Sequence, residues 1–399
     1  MTQTGAQAET QAETPTIRVT GSARERGRQY GEQARERVRR SVALYEEVFA
    51  DYAGWSWERV RAECAPFGPR IAEFDRRSLE EIGGIAAGAG LPEIDVLAIN
   101  VRTEVMFGAA ARGDARPPRD GCSAVVLMPQ ITADGHTLLA QNWDWIEGTR
   151  QTAVIVEARP DDGPAYIAIM EAGLLAKMGL SAAGIGLTTN TIISDLDRGG
   201  PGVPYHVCLR SVLSAPTMAD ALGGLMRGRR SSSANYLVAS HDGLAFDAET
   251  WPGGGSCMTI GVPAAGRILH TNHFIAPGFP HCDRGLELMP DSPLRLQRLR
   301  ALLGEPPTDA SSGAGRPAGR AADVERTGLG RADIEAALGD HAGHPWGVCN
   351  HPDLTQVPVH QEGTILSVVM DLTERRLWLA DGNPCTTPYR ELDTSLLRV

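Results

Sequence analysis

The stretch Arg119-Asp120-Gly121-Cys122-Ser123-Ala124-Val125-Val126-Leu127 decides the fold, because a charged, Pro-rich loop ends there and an apolar, strand-like run begins with a cysteine. Gly121 has no Cβ and can adopt unusual backbone angles that bring its carbonyl within reach of the Cys122 thiol. We therefore predict that Cys122 is a nucleophile that first cuts its own chain at the Gly121–Cys122 bond. A buried structural cysteine is the alternative interpretation of this residue.

The predicted cut would place a nucleophile and its base on one residue. The peptide bond before Cys122 would shift onto sulfur, and hydrolysis of the resulting thioester would leave Cys122 as a new amino terminus. Its α-amino group would titrate near pH ~8 and could accept the proton of the neighbouring thiol.

Strand and turn signals follow the cysteine directly. Asp134-Gly135 predicts a hairpin turn, and the returning strand, Thr137–Trp145, contains the carboxylate of Asp144. Strands, then helices, then strands along the chain indicate two sheets sandwiched by helices. Further predicted elements are helices from Ser22, after Pro69, over Tyr205–Met226 and over Ser292–Leu303, and hairpins near His241-Asp242-Gly243, near Ala264-Ala265-Gly266 and at Thr364–Met370 with Leu377–Leu379.

A series of motifs runs through nearly the whole chain in a specific order. It resembles the acyl-coenzyme A:isopenicillin N (6-aminopenicillanic acid) acyltransferase family, the self-processing cysteine members of the N-terminal nucleophile (Ntn) hydrolases. The motifs are Gly27-Arg28-Gln29-Tyr30-Gly31, Asn100-Val101-Arg102-Thr103-Glu104, Asp120-Gly121-Cys122, Gln141-Asn142-Trp143-Asp144, Glu171-Ala172-Gly173 and His270-Thr271-Asn272-His273.

This resemblance implies an α+β fold, a four-layer αββα Ntn-hydrolase sandwich with a mainly helical N-terminal leader. We expect a disordered tail over residues 1–15 and the leader, or α fragment, over residues 16–121. Residues 122–399 are expected to form the catalytic sandwich, or β fragment. Within it, the Gly/Ser/Pro/Ala-rich residues 308–321 are expected to be a flexible insertion.

The resemblance also implies a catalytic set of three residues. Cys122 matches the nucleophile, Asp144 an aspartate that acts in processing and organises the new amino terminus, and Asn272 an asparagine near the oxyanion position. A neutral amide suits that position because it donates to developing charge without titrating. The alternatives are a strand-end carboxylate satisfied by backbone N–H groups for Asp144 and a turn-forming role for Asn272.

Five further residues are expected to support the site or bind substrate. Arg102 and Glu104 lie before the cut, where a buried ion pair or a helix cap is the alternative role. Asn190 matches a family asparagine, whereas Thr188 and Asn350 replace the Asn and Arg that the family carries. Loss of that Arg removes a fixed positive charge, which disfavours a carboxylate-bearing substrate.

No metal or cofactor is predicted. The seven cysteines are scattered and never spaced as CxxC, so neither a disulfide framework nor a zinc ribbon is indicated. His270 and His273, with His281-Cys282-Asp283 near in sequence, raise the alternative of a metal-dependent amidase. The pattern of that stretch predicts a strand followed by a loop. Histidines three residues apart share a face on a helix but not on a strand, so this pattern does not favour a metal site.

Composition points to small-molecule partners. Lys and Arg total 38 against 49 Asp and Glu, and a net charge of −11 argues against a nucleic acid or an anionic membrane. The chain has no apolar run of about 18 residues and no signal-peptide pattern in residues 1–14, so we expect a cytoplasmic protein. The sequence leaves the oligomeric state open, so an oligomer is possible.

We predict an enzyme that forms an acyl-thioester on Cys122 from a small-molecule amide or acyl thioester. The two fragments of the self-cleaved zymogen are expected to stay associated. Attack by water would make the chain an amidohydrolase, and attack by an amine would make it an acyltransferase. The alternatives are an acyl-CoA-dependent N-acyltransferase of the penicillin-acyltransferase type and a catalytically silent binding protein on the same fold.

Overall fold

The computed structural model describes residues 13–115, 119–304 and 328–398. Residues 1–12 of the expected tail over residues 1–15 therefore lie outside the described residues. The expected insertion over residues 308–321 lies outside them entirely.

The strands form two sheets. The eight-stranded sheet has the order β1-β4-β5-β6-β7-β8-β9-β10, and the six-stranded sheet has the order β11-β2-β3-β12-β13-β14. Apart from the parallel pair β1 and β4, the strand pairs are antiparallel. The strands are β1 (Thr16–Gly21), β2 (Cys122–Leu127), β3 (Leu138–Ile146), β4 (Ala153–Pro160), β5 (Tyr166–Glu171), β6 (Met178–Ser181), β7 (Ile185–Asn190), β8 (Ala234–Ser240), β9 (Ala245–Thr250), β10 (Met258–Gly261), β11 (Arg267–His270), β12 (Glu362–Asp371), β13 (Arg376–Ala380) and β14 (Arg390–Glu391).

In the part of the chain that the structure describes, five helices lie between β1 and β2, two between β7 and β8, and three between β11 and β12. Within the described ranges, no helix is both long enough and apolar enough to span a membrane. The helices are α1 (Ala23–Gln33), α2 (Arg35–Ala53), α3 (Trp57–Cys64), α4 (Phe67–Ala89), α5 (Glu93–Ala111), α6 (Tyr205–Leu213), α7 (Met218–Arg227), α8 (Gly285–Leu288), α9 (Ser292–Leu303) and α10 (Arg331–Leu338), with 3₁₀ turns at Glu147–Gln151, Pro358–His360 and Ser395–Leu397.

Alternation along β2 shows how the layers stack. Ala124 and Val126 belong to the core between the two sheets, whereas Val125 and Leu127 face the other side and pack with α9 and α10. Helices α1 and α6 cover the outer face of the eight-stranded sheet. The predicted α+β, four-layer αββα sandwich is confirmed.

The N-terminal region is mainly helical, as predicted, but it also provides a strand. β1 pairs in parallel with β4, with Thr16 opposite Ile155, so residues before the expected cut complete a sheet formed by residues after it. Apolar residues at alternate positions of β1, Ile17 and Val19, are buried in the core.

One local prediction was wrong. The expected helix over Tyr205–Met226 is two helices, because Pro216 cannot continue a helix and the Thr217 side chain caps the next one by accepting from the Asp220 N–H. The tight turn expected at residues 264–266 is present, since Ala264 and Arg267 form an antiparallel bridge, but the strands on either side, β10 and β11, belong to different sheets.

Small residues bring α1 and α4 into backbone contact. A Cβ on Gly27 or Gly31 would lie 2.2 or 2.1 Å from a carbonyl oxygen of α4, and a Cβ on Gly84 or Gly88 would meet α1 at 2.3 or 2.2 Å. Glycine is therefore required at all four positions. The spacing of the Gly27-to-Gly31 motif thus has an architectural cause.

Candidate active site at the start of β2

Cys122 is the first residue of β2 and lies opposite Trp143 of β3. It is 1% exposed and belongs to the core between the sheets. The carbonyl before it, that of Gly121, accepts a hydrogen bond from the Asp144 backbone N–H at 3.0 Å. The carbonyl that the thiol would attack therefore already faces a fixed donor.

The Asn272 side chain spans the Gly121–Cys122 bond. Its Oδ1 accepts from the Cys122 N–H at 2.8 Å, and its Nδ2 donates to the carbonyl of Asp120 at 2.9 Å and to that of Thr191 at 3.0 Å. Asn272 is fully buried. In the uncut chain its amide thus holds both sides of the junction, while the donor to the Gly121 oxygen is the Asp144 backbone.

Arg295 of α9 joins the same network, and the sequence interpretation missed it. Its guanidinium donates to the Cys122 carbonyl at 2.7 Å, to Asn272 Oδ1 at 2.8 Å and to the Asp291 carboxylate at 2.7 Å. Arg295 is 3% exposed although it belongs to a helix rich in surface arginines. An arginine on the buried stripe of α9, beside Leu296 and Leu299, is the signal that could have identified it.

Asp144 is buried and only partly bound. Its Oδ1 accepts from the Thr364 hydroxyl at 2.6 Å, and its Oδ2 has no hydrogen-bond partner among the described residues. Burial raises the pKa of Asp144 to about 6, against the lowering effects of Arg295 and Thr364. A carboxyl group in this state can change its protonation near neutral pH.

Gly121 is needed for proximity to Asp144 rather than for unusual backbone angles. The expectation of a special Gly121 conformation was wrong, since Gly121 does not have a positive φ angle. A Cβ at this position would lie 2.9 Å from Asp144 Oδ2 and 3.1 Å from its Cβ. The carboxylate therefore lies directly against the residue that precedes the expected cut.

Lys177 brings a positive charge close to the Cys122 thiol. Burial raises the pKa of the Cys122 thiol to about 12, Lys177 opposes that rise, and Asp120 and Asp144 add to it. The Lys177 ammonium lies 4.8 Å from the centre of the Trp143 ring, and the residue is 2% exposed. Sequence reasoning missed it, although it is the sole lysine of the chain and interrupts an apolar run.

Arg102 and Glu104 have architectural contacts. The Arg102 guanidinium donates to Glu171 at 2.6 Å and also meets His206, so it forms the buried ion pair that was the alternative interpretation. Glu104 accepts from the Tyr205 N–H at 2.7 Å, where α6 begins. The two contacts therefore join α5 to the end of β5 and to the start of α6.

Three family motifs meet at Glu171-Ala172-Gly173. Tyr30 donates to the Glu171 carbonyl and accepts from the Gly173 N–H, at 3.3 and 3.0 Å. Asn100 donates to the Gly173 carbonyl at 2.8 Å, and Tyr45 donates to the Glu171 carboxylate at 2.9 Å. The motifs of the N-terminal region are thus anchored on one segment of the sandwich.

Thr188 and Asn190 face the space between the sheets. A Cβ at Gly186, on the same face of β7, would touch Leu139 of the other sheet. Asn190 donates to the His270 carbonyl at 3.4 Å, while Thr188 Oγ1 and Asn190 Oδ1 have no partner among the described residues. Polar atoms are therefore left unbound in the layer that contains Cys122.

Asn350 is connected to the site through Thr364. Its N–H donates to Thr364 Oγ1 and its carbonyl accepts from the Thr364 N–H, both at 2.9 Å. The Thr364 hydroxyl in turn binds Asp144. The residue that departs from the family therefore lies two hydrogen bonds from the carboxylate.

The His270 region does not gather the metal-binding set considered from the sequence. The two ring nitrogens of His270 are within hydrogen-bond distance of the Glu249 carboxylate at 2.9 Å and the Thr271 carbonyl at 2.7 Å. Burial lowers the pKa of His270, but Asp247 and Glu249 outweigh it and raise the pKa to about 8. His270 is accordingly the cation of a buried ion pair, which supports the strand before Asn272.

A cleft of about 650 Å³ opens beside the segment that follows Thr191. Its wall includes Ile193, two residues beyond the Thr191 that Asn272 binds, and Ala115, which lies on the segment leading to the cut. The apolar part of the lining can accept a hydrocarbon or aromatic group. Its apolar residues are Phe107, Ala110, Ala111, Ala115, Ile193 and Leu288.

The four-layer sandwich, with a cysteine at the start of an inner strand, defines an Ntn-hydrolase fold. Within that class, the predicted resemblance to the acyl-coenzyme A:6-aminopenicillanic acid acyl-transferase family is confirmed, since the model of that family matches residues 131–312. The 40 kDa form of acyl-coenzyme A:6-aminopenicillanic-acid-acyltransferase from Emericella nidulans is 29% identical over 228 residues, or 57% of this chain. The match spans 60% of the length of that relative.

Solved structures with detectable similarity are more distant. A mutant of conjugated bile acid hydrolase from Clostridium perfringens matches with a TM-score of 0.41 and 11% identity, over 68% of this chain and 96% of that chain. Penicillin V acylase from Agrobacterium tumefaciens matches with a TM-score of 0.38 and 13% identity, over 69% of this chain and 86% of that chain.

Proposed function

We propose that this chain is a self-processing cysteine enzyme that cuts its own Gly121–Cys122 bond. The observation that carries the proposal is the set of hydrogen bonds that holds the peptide units around this bond. Asn272 binds the Cys122 N–H and the Asp120 carbonyl on either side of it, and the Asp144 N–H binds the Gly121 carbonyl between them. The Asp144 bond continues the pairing of β2 with β3, but strand pairing does not require one buried side-chain amide to bind the peptide units on both sides of the bond.

The proposed cleavage passes through a thioester, and the Asp144 N–H is placed to assist its first step. Cys122 Sγ attacks the Gly121 carbonyl carbon, and the developing oxyanion keeps its hydrogen bond to the Asp144 N–H. The C–N bond breaks, the nitrogen takes the proton that the thiol has given up, and Gly121 is held as a thioester on sulfur. Water then hydrolyses this thioester, which leaves a Gly121 carboxylate, the free thiol and a Cys122 α-amino group.

The same residues would then serve catalysis. Asn272 Oδ1 already accepts from the Cys122 N–H and Asp144 Oδ2 lies against Gly121, so both would orient the new α-amino group as the base for the thiol. Departure of the Asp120-Gly121 end would free Asn272 Nδ2 to donate to a substrate oxyanion. One amide would thus hold the junction before the cut and bind the reacting oxygen after it.

We propose an acyl-thioester on Cys122, formed from a small-molecule amide or acyl thioester and resolved by water or by an amine. Amide hydrolysis is our first choice, because Asn350 brings no positive charge for a carboxylate-bearing acceptor. An acyl-CoA-dependent N-acyltransferase of the penicillin-acyltransferase type is the second. The third candidate, of another class, is a catalytically silent binding protein. It is favoured by Thr188 and Asn350, because both residues depart from the family pattern.

Variants of Cys122 test the function. We expect Cys122→Ala to abolish both cleavage and turnover of phenylacetyl or short-chain acyl amides, and Cys122→Ser to cleave slowly because a hydroxyl is the weaker nucleophile. Cys208→Ala is the matched control, since Cys208 is also 1% exposed but lies on α6. Unaltered turnover in Cys122→Ala would contradict the proposed role of Cys122, whereas a parent chain that neither cleaves nor reacts with iodoacetamide at Cys122 would favour a binding protein.

A paired assay tests the substrate class. The two substrates share an acyl group and differ only in a carboxylate on the leaving amine. We expect the parent to prefer the neutral substrate and Asn350→Arg to shift the ratio of kcat/KM values toward the carboxylate by about tenfold, the scale of a charged hydrogen bond. A tenfold preference of the parent for the carboxylate would overturn this choice.

A further inference from the structure

Two cysteines and two histidines, none of which acts in the proposed reaction, meet at the edge of the six-stranded sheet. One ligand atom from each of His341, Cys349, His351 and Cys385 can be chosen so that all four lie within 4.8 Å of one another. The two sulfurs are 3.5 Å apart, and His351 Nε2 is 3.5 Å from each of them. The Nε2 atoms of His341 and His351 are 3.0 Å apart.

We propose that these four side chains bind one zinc ion with tetrahedral geometry. Zinc bonds of about 2.3 Å to sulfur and about 2.0 Å to nitrogen require neighbouring ligand atoms to be separated by about 3.3 to 3.8 Å. The separations of 3.0 and 3.5 Å given above lie within a few tenths of an ångström of that range, and His341 lies within 4.8 Å of both sulfurs. Two thiolates with two imidazoles are also a donor set that zinc favours.

The surroundings suit a metal centre. Asn383 Nδ2 donates to Cys349 Sγ at 3.6 Å and to the Asn350 carbonyl at 2.7 Å, so it orients a ligand and its neighbour. The backbone N–H of Cys349 is bound to the Asp340 carbonyl at 3.0 Å. Cys349 is buried and His341 is exposed, which gives an ion a route from solvent.

A disulfide between Cys349 and Cys385 explains less of the arrangement. A disulfide requires a sulfur separation of about 2.05 Å and has no use for imidazoles. Here His351 Nε2 is equally distant from both sulfurs, and His341 completes the fourth corner. The sequence interpretation expected no metal because the ligands are spread over 45 positions, from 341 to 385, without a CxxC pair.

The position of the centre gives it a structural role. Four protein ligands close the coordination sphere and leave no open position for a substrate. The ion would join the loop after α10 to the turn after β13, and its ligands Cys349 and His351 flank Asn350. Since Asn350 binds Thr364, and Thr364 binds Asp144, the metal would fix the segment that positions the Asp144 carboxylate.

Metal content and a cobalt spectrum test the proposal. The full chain, purified under reducing conditions and supplied with zinc alone, should contain about one zinc per chain by elemental analysis. Co²⁺ in place of zinc should give thiolate-to-cobalt charge-transfer bands and the visible bands of a tetrahedral site. Zinc should raise the Tm and a chelator should lower it, since the ion binds the folded chain.

Variants separate this site from adventitious binding. Cys385→Ala and His341→Asn, at positions that are not fully buried, should lose stoichiometric zinc and the Tm response, and Asn383→Ala should weaken zinc binding by about 10- to 100-fold. Cys282→Ala, which removes an exposed cysteine elsewhere, is the matched control and should bind as the parent does. Equal zinc affinity in the parent and in Cys385→Ala and His341→Asn, or no zinc uptake by the reduced parent, would overturn the proposal.

Discussion

One oxygen of the Asp144 carboxylate is bound and the other is not. Thr364 holds Oδ1, while Oδ2 lies against Gly121 and has no partner among the described residues. Because burial raises the pKa of Asp144 from 3.8 to about 6, its ionised form is lost as the pH falls through 6. Any step that needs the carboxylate as an acceptor must therefore slow in mild acid.

The pH dependence of cleavage follows from that pKa. In the slowly cutting Cys122→Ser background, we expect the cleavage rate to rise with pH up to a plateau, with its midpoint near pH 6. Asp144→Asn in the same background should cut at least about tenfold more slowly and lose this inflection, with little change in Tm. Timed gel analysis across the pH range measures both. An unchanged profile in Asp144→Asn would show that the carboxylate is structural.

Lys177 provides a second residue-scale prediction. Its ammonium opposes the effect of burial on the Cys122 thiol, so Lys177→Met should raise the thiol pKa further and make alkylation at neutral pH about tenfold slower per unit of pKa. Lys177→Arg keeps the charge and is the control. The pH dependence of iodoacetamide labelling at Cys122 is the measurement. Coinciding profiles for parent and Lys177→Met would contradict an electrostatic role.

The sequence predicted the residues that lie in recognisable motifs and missed those that do not. Cys122, Asp144 and Asn272 stand in short motifs, and the structure brings them together at one junction. Arg295 and Lys177 reach the same junction from α9 and from the segment before β6, through helix and strand packing that no local pattern encodes. Long-range contacts made by single side chains, such as these two, therefore could not be predicted from one sequence.

At the scale of elements, two kinds of ion pair attach the region before the proposed cut to the rest of the chain. Arg102 and Glu171 form a buried pair at 2.6 Å, with side-chain exposures of 6% and 0%. Arg18 and Glu157 form an exposed pair at 2.9 Å, between β1 and β4. Both pairs connect residues on opposite sides of the Gly121–Cys122 bond.

These two pairs should differ in how strongly they hold the fragments together. Glu171→Gln leaves Arg102 buried without its counter-charge and should lower the free energy of unfolding by about 3–5 kcal/mol. Glu157→Gln, the matched control, should cost about 1 kcal/mol or less. Urea titration of the cut protein, with fragment separation followed on a sizing column, measures both. Equal small losses would mean that the buried pair does not secure the leader.

Element boundaries were predictable where one physical signal dominated. The hairpin of β2 and β3 follows from Asp134-Gly135, where Gly135 has a φ of 75°, and α9 spans Ser292–Leu303 as expected. The break between α6 and α7 at Pro216 was missed because apolar periodicity continued across it. Sheet membership of β1 and β11 could not be predicted, since it depends on partners more than a hundred positions away.

For the whole molecule, the order of strand and helix signals was enough to predict four layers. The central claim concerns one bond in that fold, because cleavage between Gly121 and Cys122 would turn a buried cysteine into an amino-terminal nucleophile. Mass is shared in proportion to length, so cleavage of the 42.6 kDa chain should give fragments of about 13 and about 30 kDa. β1 and the buried core contacts should keep them together.

Amino-terminal sequencing of the larger fragment, combined with intact mass, tests this claim most directly. The account predicts a sequence that begins Cys-Ser-Ala-Val and two fragments that co-elute on a sizing column. A single stable species of 42.6 kDa, or a larger fragment that begins at any other residue, would contradict it.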